Sequence, residues 1–162
     1  MIEINKAEKK DIPLILEFIQ GLAAYEKLRD SCVATEEKLR ETLFSDRPDA
    51  EVIIARVEGD PVGFALFFHN YSTFLAKRGL YLEDLFVKPE ARGHGVGFAL
   101  LSELARIAVS RNCGRLEWAV LDWNDLAIDF YRRIGARPLD DWTVFRLTGD
   151  ALNELASKVK SA

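Results

Sequence analysis

Pro89-Glu90-Ala91-Arg92-Gly93-His94-Gly95-Val96-Gly97 is the stretch on which the fold turns. Before it, Gly79 to Lys88 is long and mostly apolar, as a strand buried on both faces would be. Behind it, from Gly95 to Arg111, Val96, Leu100, Leu101, Leu104, Ile107 and Ala108 recur at helical spacing, and Asn112-Cys113-Gly114 closes the helix. A junction between a buried strand and a helix start aims several backbone N–H groups and the positive end of the helix dipole at one spot. Its glycines let an anion approach the backbone closely. A phosphate-bearing ligand is therefore expected. The dinucleotide fingerprint fails, because G-x-G-x-x-G starting at Gly93 needs glycine where Phe98 stands; the Gly-Lys-Ser/Thr ending of a nucleotide P-loop is also absent. A tight strand-to-helix turn with no ligand is the plainer alternative for the glycines alone.

On the N-terminal side, Ile2-Glu3-Ile4 alternates like a short strand. Asp11-Ile12-Pro13 supplies a capping residue and an early-turn proline for a helix whose stripe is Ile12, Ile15, Ile19, Leu22 and Ala23. Thr35, followed by Glu36 and Glu37, starts a second helix with Leu39 and Leu43 on its apolar side. Glu51 to Val57 and Pro61 to Phe68 read as two strands joined by the turn Glu58-Gly59-Asp60. On the C-terminal side, Arg115 to Leu121 reads as a strand and Asp125 to Ile134 as a helix ended by Gly135. Thr143 to Leu147 reads as a last strand before a polar helix. The order β-α-α-β-β-β-α-β-α-β with mixed pairing places the chain in the α+β, or mixed α/β, class.

At 162 residues with no Pro/Gly/Ser-rich linker, a single domain over residues 1–162 is expected. Hydrophobic residues make up 49% and charged residues 30%, which excludes a disordered chain. No apolar run reaches membrane-spanning length and the first residues lack a signal-peptide pattern, so the expectation is a cytoplasmic protein with no membrane partner. Cys32 and Cys113 form no Cys-x-x-Cys pair, and His69 and His94 are the only histidines, so no disulfide framework and no metal centre are expected. The net charge of −4 argues against a nucleic-acid partner and favours a cationic small molecule.

Arg92-x-x-Gly95-x-Gly97 resembles the acetyl-CoA loop of the GNAT N-acetyltransferase superfamily. Tyr81-Leu82-Glu83-Asp84-Leu85-Phe86-Val87, Leu121-Asp122-Trp123-Asn124 and Phe130-Tyr131-Arg132-Arg133-Ile134-Gly135-Ala136 extend the likeness along nearly the whole chain. Together they resemble the diamine acetyltransferases, and most closely the branch that prefers thialysine, S-(2-aminoethyl)-cysteine. The resemblance implies a GNAT fold, acetyl-CoA as cosubstrate, a small amine as acceptor and a homodimer.

It also implies roles. Leu85, Phe86 and Val87 would pair by their backbones with the pantetheine arm, and Arg92, Gly93, His94, Gly95, Val96, Gly97 and Phe98 would hold the diphosphate. Tyr131 would stand near the CoA sulfur as proton donor, with Asn124 and Arg133 as further cofactor contacts. Without the resemblance, Tyr131 reads as a helix aromatic filling a core and Arg133 as a solvated charge. Glu83 and Asp84 leave opposite faces of a regular strand, so only one can face a given pocket; the resemblance favours Glu83 as ammonium anchor or as a base acting through water. Tyr25 and Glu26 match a segment at the amine end of the channel. Where polyamine-acetylating relatives carry an acid and a tryptophan, this chain has Ser72-Thr73-Phe74, which shifts the expectation toward a shorter amine. Leu139-Asp140-Asp141-Trp142 is shorter than its counterpart. Another amine acceptor, such as a protein N-terminus or an aminoglycoside, and a non-catalytic acyl-CoA sensor are the competing readings.

Overall fold

Five strands form one sheet in the order β1-β2-β3-β4-β5: Ile2–Lys6, Glu51–Val57, Asp60–Ser72, Lys77–Val87 and Leu116–Trp118. The first four run antiparallel to their neighbours, whereas β5 lies parallel to β4. Among the described residues five α-helices accompany them: α1 Ile12–Tyr25, α2 Glu36–Leu43, α3 Val96–Ser110, α4 Asp125–Arg133 and α5 Gly149–Ser157. This computed structural model describes residues 1–159, in two compact units, Met1–Leu121 and the described part of Asp122–Ala162. The mixed α/β arrangement is the one the residue pattern implies.

In the first unit α1 covers one face of the sheet. Its Ile12, Ile15 and Phe18 are buried against Val52, Ile54, Phe64 and Phe86. Each such side chain contributes roughly 1.5–3 kcal/mol by leaving water. α3 lies on the other face and buries Val96, Leu100, Leu101 and Leu104; a Cβ added at Gly97 would stand 4.0 Å from Leu85 and from Val87. The strand that precedes the glycine loop is thus held between two helices.

Several local expectations change. Asp11 does not cap α1 through its side chain: Oδ2 accepts from the Glu8 N–H at 2.8 Å and Oδ1 takes an Arg56 N–H at 3.1 Å. That carboxylate is buried beside a guanidinium, and the ion pair outcompetes the cap. Thr35 does cap α2, its hydroxyl accepting from the Lys38 N–H at 3.2 Å. In the β2–β3 turn both Glu58 (φ 52°) and Gly59 (φ 89°) are left-handed, the twist that lets a two-residue turn follow the strands. β3 runs on to Ser72 and β4 starts at Lys77, so the expected limits at Phe68 and Gly79 fell short. Ladder bonds carry the hairpin through residues whose side chains show no clear alternation. α3 ends on Asn112 (φ 55°), with the Cys113 N–H donating to Ala108 O at 2.9 Å.

β5 is shorter than the expected Arg115 to Leu121, its pairing with β4 ending at Leu82 and Trp118. In the second unit, Asn124 Oδ1 accepts from the Ala127 N–H at 3.3 Å and so caps α4, which stops at Arg133 before Gly135 (φ 90°). The strand expected over Thr143 to Leu147 is not formed. Val144 and Phe145 are almost fully exposed, and no strand among the described residues of that unit offers an edge to pair with. Alternating side chains without a partner ladder leave the backbone irregular. α5 is present as expected.

Candidate functional site

The centre of the site is an irregularity in β4. Phe67 pairs with Leu82 and Leu66 pairs with Asp84, so Glu83 is an extra residue with no partner. This corrects the strict alternation expected of the two acids. Paired residues share a face, and Phe64 pairs with Phe86 on the α1 side. Asp84, two residues from Phe86, consequently lies on the face that α1 covers, while Leu82 lies on the other. The bulge aims Asp84 toward the end of α1, where Glu26 follows the last helical turn.

Three carboxylates therefore act on one region. Burial raises the Asp84 carboxyl from its ordinary 3.8 to about 6, helped by the negative charges of Glu83 and Glu26. Burial also raises Glu26. Glu83 itself is exposed. A carboxyl with its pKa raised to about 6, with two further acids within Coulombic reach, is a receptor for a cation.

This arrangement has a thermodynamic cost that can be measured. Because the folded chain holds the Asp84 proton more tightly than the unfolded chain, ionising the group opposes folding. The penalty is complete above pH 6 and vanishes below about 3.8. Two units correspond to on the order of 3 kcal/mol. Asp84→Asn is expected to raise the Tm by several degrees at pH 8, with the gain shrinking as pH falls toward 4. A gain that is equal at both pH values, or absent, rejects the burial of charge at this position.

Beyond Leu82 no strand among the described residues pairs with the outer edge of β4, because β5 ends at Trp118. On that edge Leu85 and Val87 present backbone groups to an extended ligand, with Val87 O already accepting from Arg92 Nε, whereas the Phe86 carbonyl faces β3. A 3₁₀ turn, Pro89–Ala91, leads into the glycine loop, and Gly93 (φ 77°) and Gly95 (φ 83°) take left-handed conformations that side chains resist. A Cβ at either would find no atom within 4 Å, so the space in front of the loop is open. Helical bonding begins with the Ala99 N–H donating to Gly95 O at 2.9 Å, and no side chain caps α3. The N–H groups of Val96, Gly97 and Phe98 form a first turn without intrahelical acceptors. An unblocked cradle of N–H groups at a helix start fits a diphosphate. Val96 is buried, whereas Gly93, His94, Gly95 and Phe98 are exposed.

Arg92 does not extend freely into that space. Its Nε donates to Val87 O at 2.9 Å, and its guanidinium carbon stands 4.6 Å from the Tyr25 ring centre and 5.6 Å from that of Phe86. Tyr25 and Glu26 thus end α1 beside the glycine loop and the acid cluster respectively. Ser72 is buried, its Oγ accepting from the Leu75 N–H at 3.3 Å, and Phe74 is fully exposed at the tip of the β3–β4 hairpin.

The second unit carries the remaining candidates on α4. Tyr131 is half-buried, its ring centre 5.6 Å from that of Phe130, and its carbonyl accepts from the Ala136 N–H at 3.1 Å. Asn124 is the N-cap of the same helix and Arg133 its exposed last residue. Sequence reasoning did not find the bulge, nor that Asp84 rather than Glu83 is the more buried acid. The available signal was a pair of adjacent acids inside an apolar strand, a pattern that regular pleating cannot bury on one side.

Comparison with known proteins gives the family and the fold. The Acetyltransferase (GNAT) family pattern matches residues 22–136. The chain is 39% identical to a thialysine N-epsilon-acetyltransferase of Bos taurus, covering 97% of this chain and 98% of that one. It is 34% identical to an L-ornithine N5-acetyltransferase of Arabidopsis thaliana, over 94% of this chain and 86% of that one. Among solved structures, an integron cassette protein from the mobile metagenome of V. cholerae superposes with a TM-score of 0.80 at 32% identity. It covers 97% of this chain and 98% of that one.

Proposed function

The chain belongs to the GNAT acetyltransferase family, and from that premise we propose that it acetylates the side-chain amine of a short basic amino acid, thialysine or a close analogue, with diamines and polyamines as poorer acceptors. It is an acetyl-CoA-dependent N-acetyltransferase, and it acts as one catalytic domain in the cytoplasm. The observation that carries the acceptor reading is the convergence of Asp84, Glu83 and Glu26 next to the glycine loop. A cluster of acids recognises an ammonium, and relatives named for thialysine and ornithine share most of the chain's length.

Acetyl-CoA supplies the activated thioester. The backbone edge of Leu85–Val87 holds the pantetheine arm, and the first-turn N–H groups of α3 hold the diphosphate. Asp84 and Glu26 bind the acceptor as its ammonium, whose pKa is about 10.4 in water. That cation has no lone pair, so it must lose a proton before attack, and exposed Glu83 passes the proton outward through water.

Specificity then depends on what lies farther out. Ser72-Thr73-Phe74 provides no acid for a second, distant ammonium, so a short acceptor loses nothing there and a polyamine gains nothing. Release of free CoA thiol, measured with thialysine, lysine, ornithine, spermidine and putrescine separately, is expected to give thialysine a higher kcat/KM than spermidine. The reverse ranking overturns the acceptor assignment. The family resemblance further supports a homodimer, expected as a light-scattering mass of about twice 18.3 kDa; a mass near 18.3 kDa at working concentration excludes it.

A further inference from the structure

Tyr25 ends α1 with its ring against the Arg92 guanidinium. A continuous run of ring contacts leads from the core to that pair. Phe64 and Phe18 lie with ring centres 5.4 Å apart, Phe18 and Phe86 at 6.1 Å, and the Arg92 guanidinium bridges Phe86 at 5.6 Å and Tyr25 at 4.6 Å. Phe18, Gly21 and Tyr25 fall on one side of α1, three and four residues apart. Gly21 is where the helix comes closest: a Cβ there would stand 2.8 Å from the Phe86 ring. The middle of α1 is tied to the strand's exit by Glu17, which pairs with Lys88 at 3.3 Å. Arg92 is meanwhile fastened to its own strand through Nε and Val87 O. With Nε bonded to Val87 O and the guanidinium carbon close to two rings, this arginine is tethered at the mouth of the loop.

We infer that Tyr25 is a positioning residue for the cofactor, acting through Arg92. Its ring fixes the guanidinium plane against Phe86 and so presets the diphosphate loop, while the same turn of helix carries Glu26 to the acceptor acids. This inference rests on the diphosphate role read for the loop. The contact requires an aromatic face and a planar, delocalised cation. A lysine of equal charge supplies neither the plane nor the Nε bond.

The test is CoA affinity by calorimetry on the full, folded chain. Tyr25→Leu is expected to weaken CoA about 3- to 30-fold, the span of a cation–π contact from exposed to desolvated. Tyr25→Phe restores affinity to within about twofold of the parent, because the ring face is kept. Arg92→Lys loses as much as Tyr25→Leu despite retaining the charge, and the double variant loses no more than either single one. In kinetics the loss falls on the KM for acetyl-CoA while kcat is largely kept. If Arg92→Lys binds CoA as the parent does, or if the two losses multiply, Tyr25 does not act through Arg92 and the inference is wrong. If the parent protein does not bind CoA at all, the loop assignment itself fails, and the two failures are told apart by that first measurement.

Discussion

Tyr131→Phe is expected to lower kcat by roughly 10²–10⁴-fold, the range of a positioned proton donor, while the KM for acetyl-CoA changes little. When the thioester is broken, negative charge gathers on the departing sulfur. Should the Tyr131 O–H meet that sulfur, as the family resemblance implies, it would bind the developing charge more strongly than it binds the neutral thioester. An interaction made only in the transition state is read in kcat. The phenylalanine keeps the ring and its contact with Phe130, so helix packing is preserved. Rates at saturating acetyl-CoA and thialysine provide the check, and a near-parental kcat for Tyr131→Phe makes Tyr131 a packing residue.

Gly95→Val is expected to weaken CoA about a hundredfold while leaving the protein folded. Two effects combine. A β-branched residue at φ 83° is strained, at a cost of about 1–3 kcal/mol. Its side chain also projects into the open space before the loop, where the diphosphate must approach the N–H groups, and each charge-assisted hydrogen bond lost is worth about 1.5–3 kcal/mol. Gly59→Val separates the two, because Gly59 is left-handed (φ 89°) with nothing near its Cβ and lies in the β2–β3 turn. That variant should lose stability and keep CoA affinity. Unchanged affinity in folded Gly95→Val sinks the loop assignment; equal affinity losses in both variants trace the effect to strain alone.

The strand-loop-helix unit was legible because its requirements are written in residue types: glycines where φ is positive, an apolar strand before them, and a 3.6-residue stripe from Val96 to Ala108 after them. The Thr35 cap was legible for the same reason, since a hydroxyl placed before two acids has one obvious use. Asp11 shows where this reasoning stops. Its position suited a cap, but Arg56, forty-five residues away, took the carboxylate, and no local pattern announces a distant partner. Thr143 to Leu147 shows the complementary failure, since alternation proposes a strand and only a neighbouring edge can make one. At the site, the acids and glycines were visible. Which acid is the more buried depended on the pairing register, which leaves no mark on composition.

One position in β4 matters for its count rather than its chemistry. Glu83 sets a half-turn of phase between two stretches of the same strand: Leu82 shares a face with Phe67, and Asp84 shares the opposite face with Leu66. Glu83 pairs with nothing in the ladder, and it is the proposed acetyl transfer that asks for a carboxylate there. Removing the residue is a different lesion. A chain without Glu83 would join Leu82 directly to Asp84, opposite the adjacent residues Phe67 and Leu66, so β4 would run as a regular ladder with Asp84 and Phe86 still facing α1. Length at this point is therefore under looser constraint than at the paired positions on either side, and deletion of Glu83 should cost the fold less than deletion of Leu82 or Asp84.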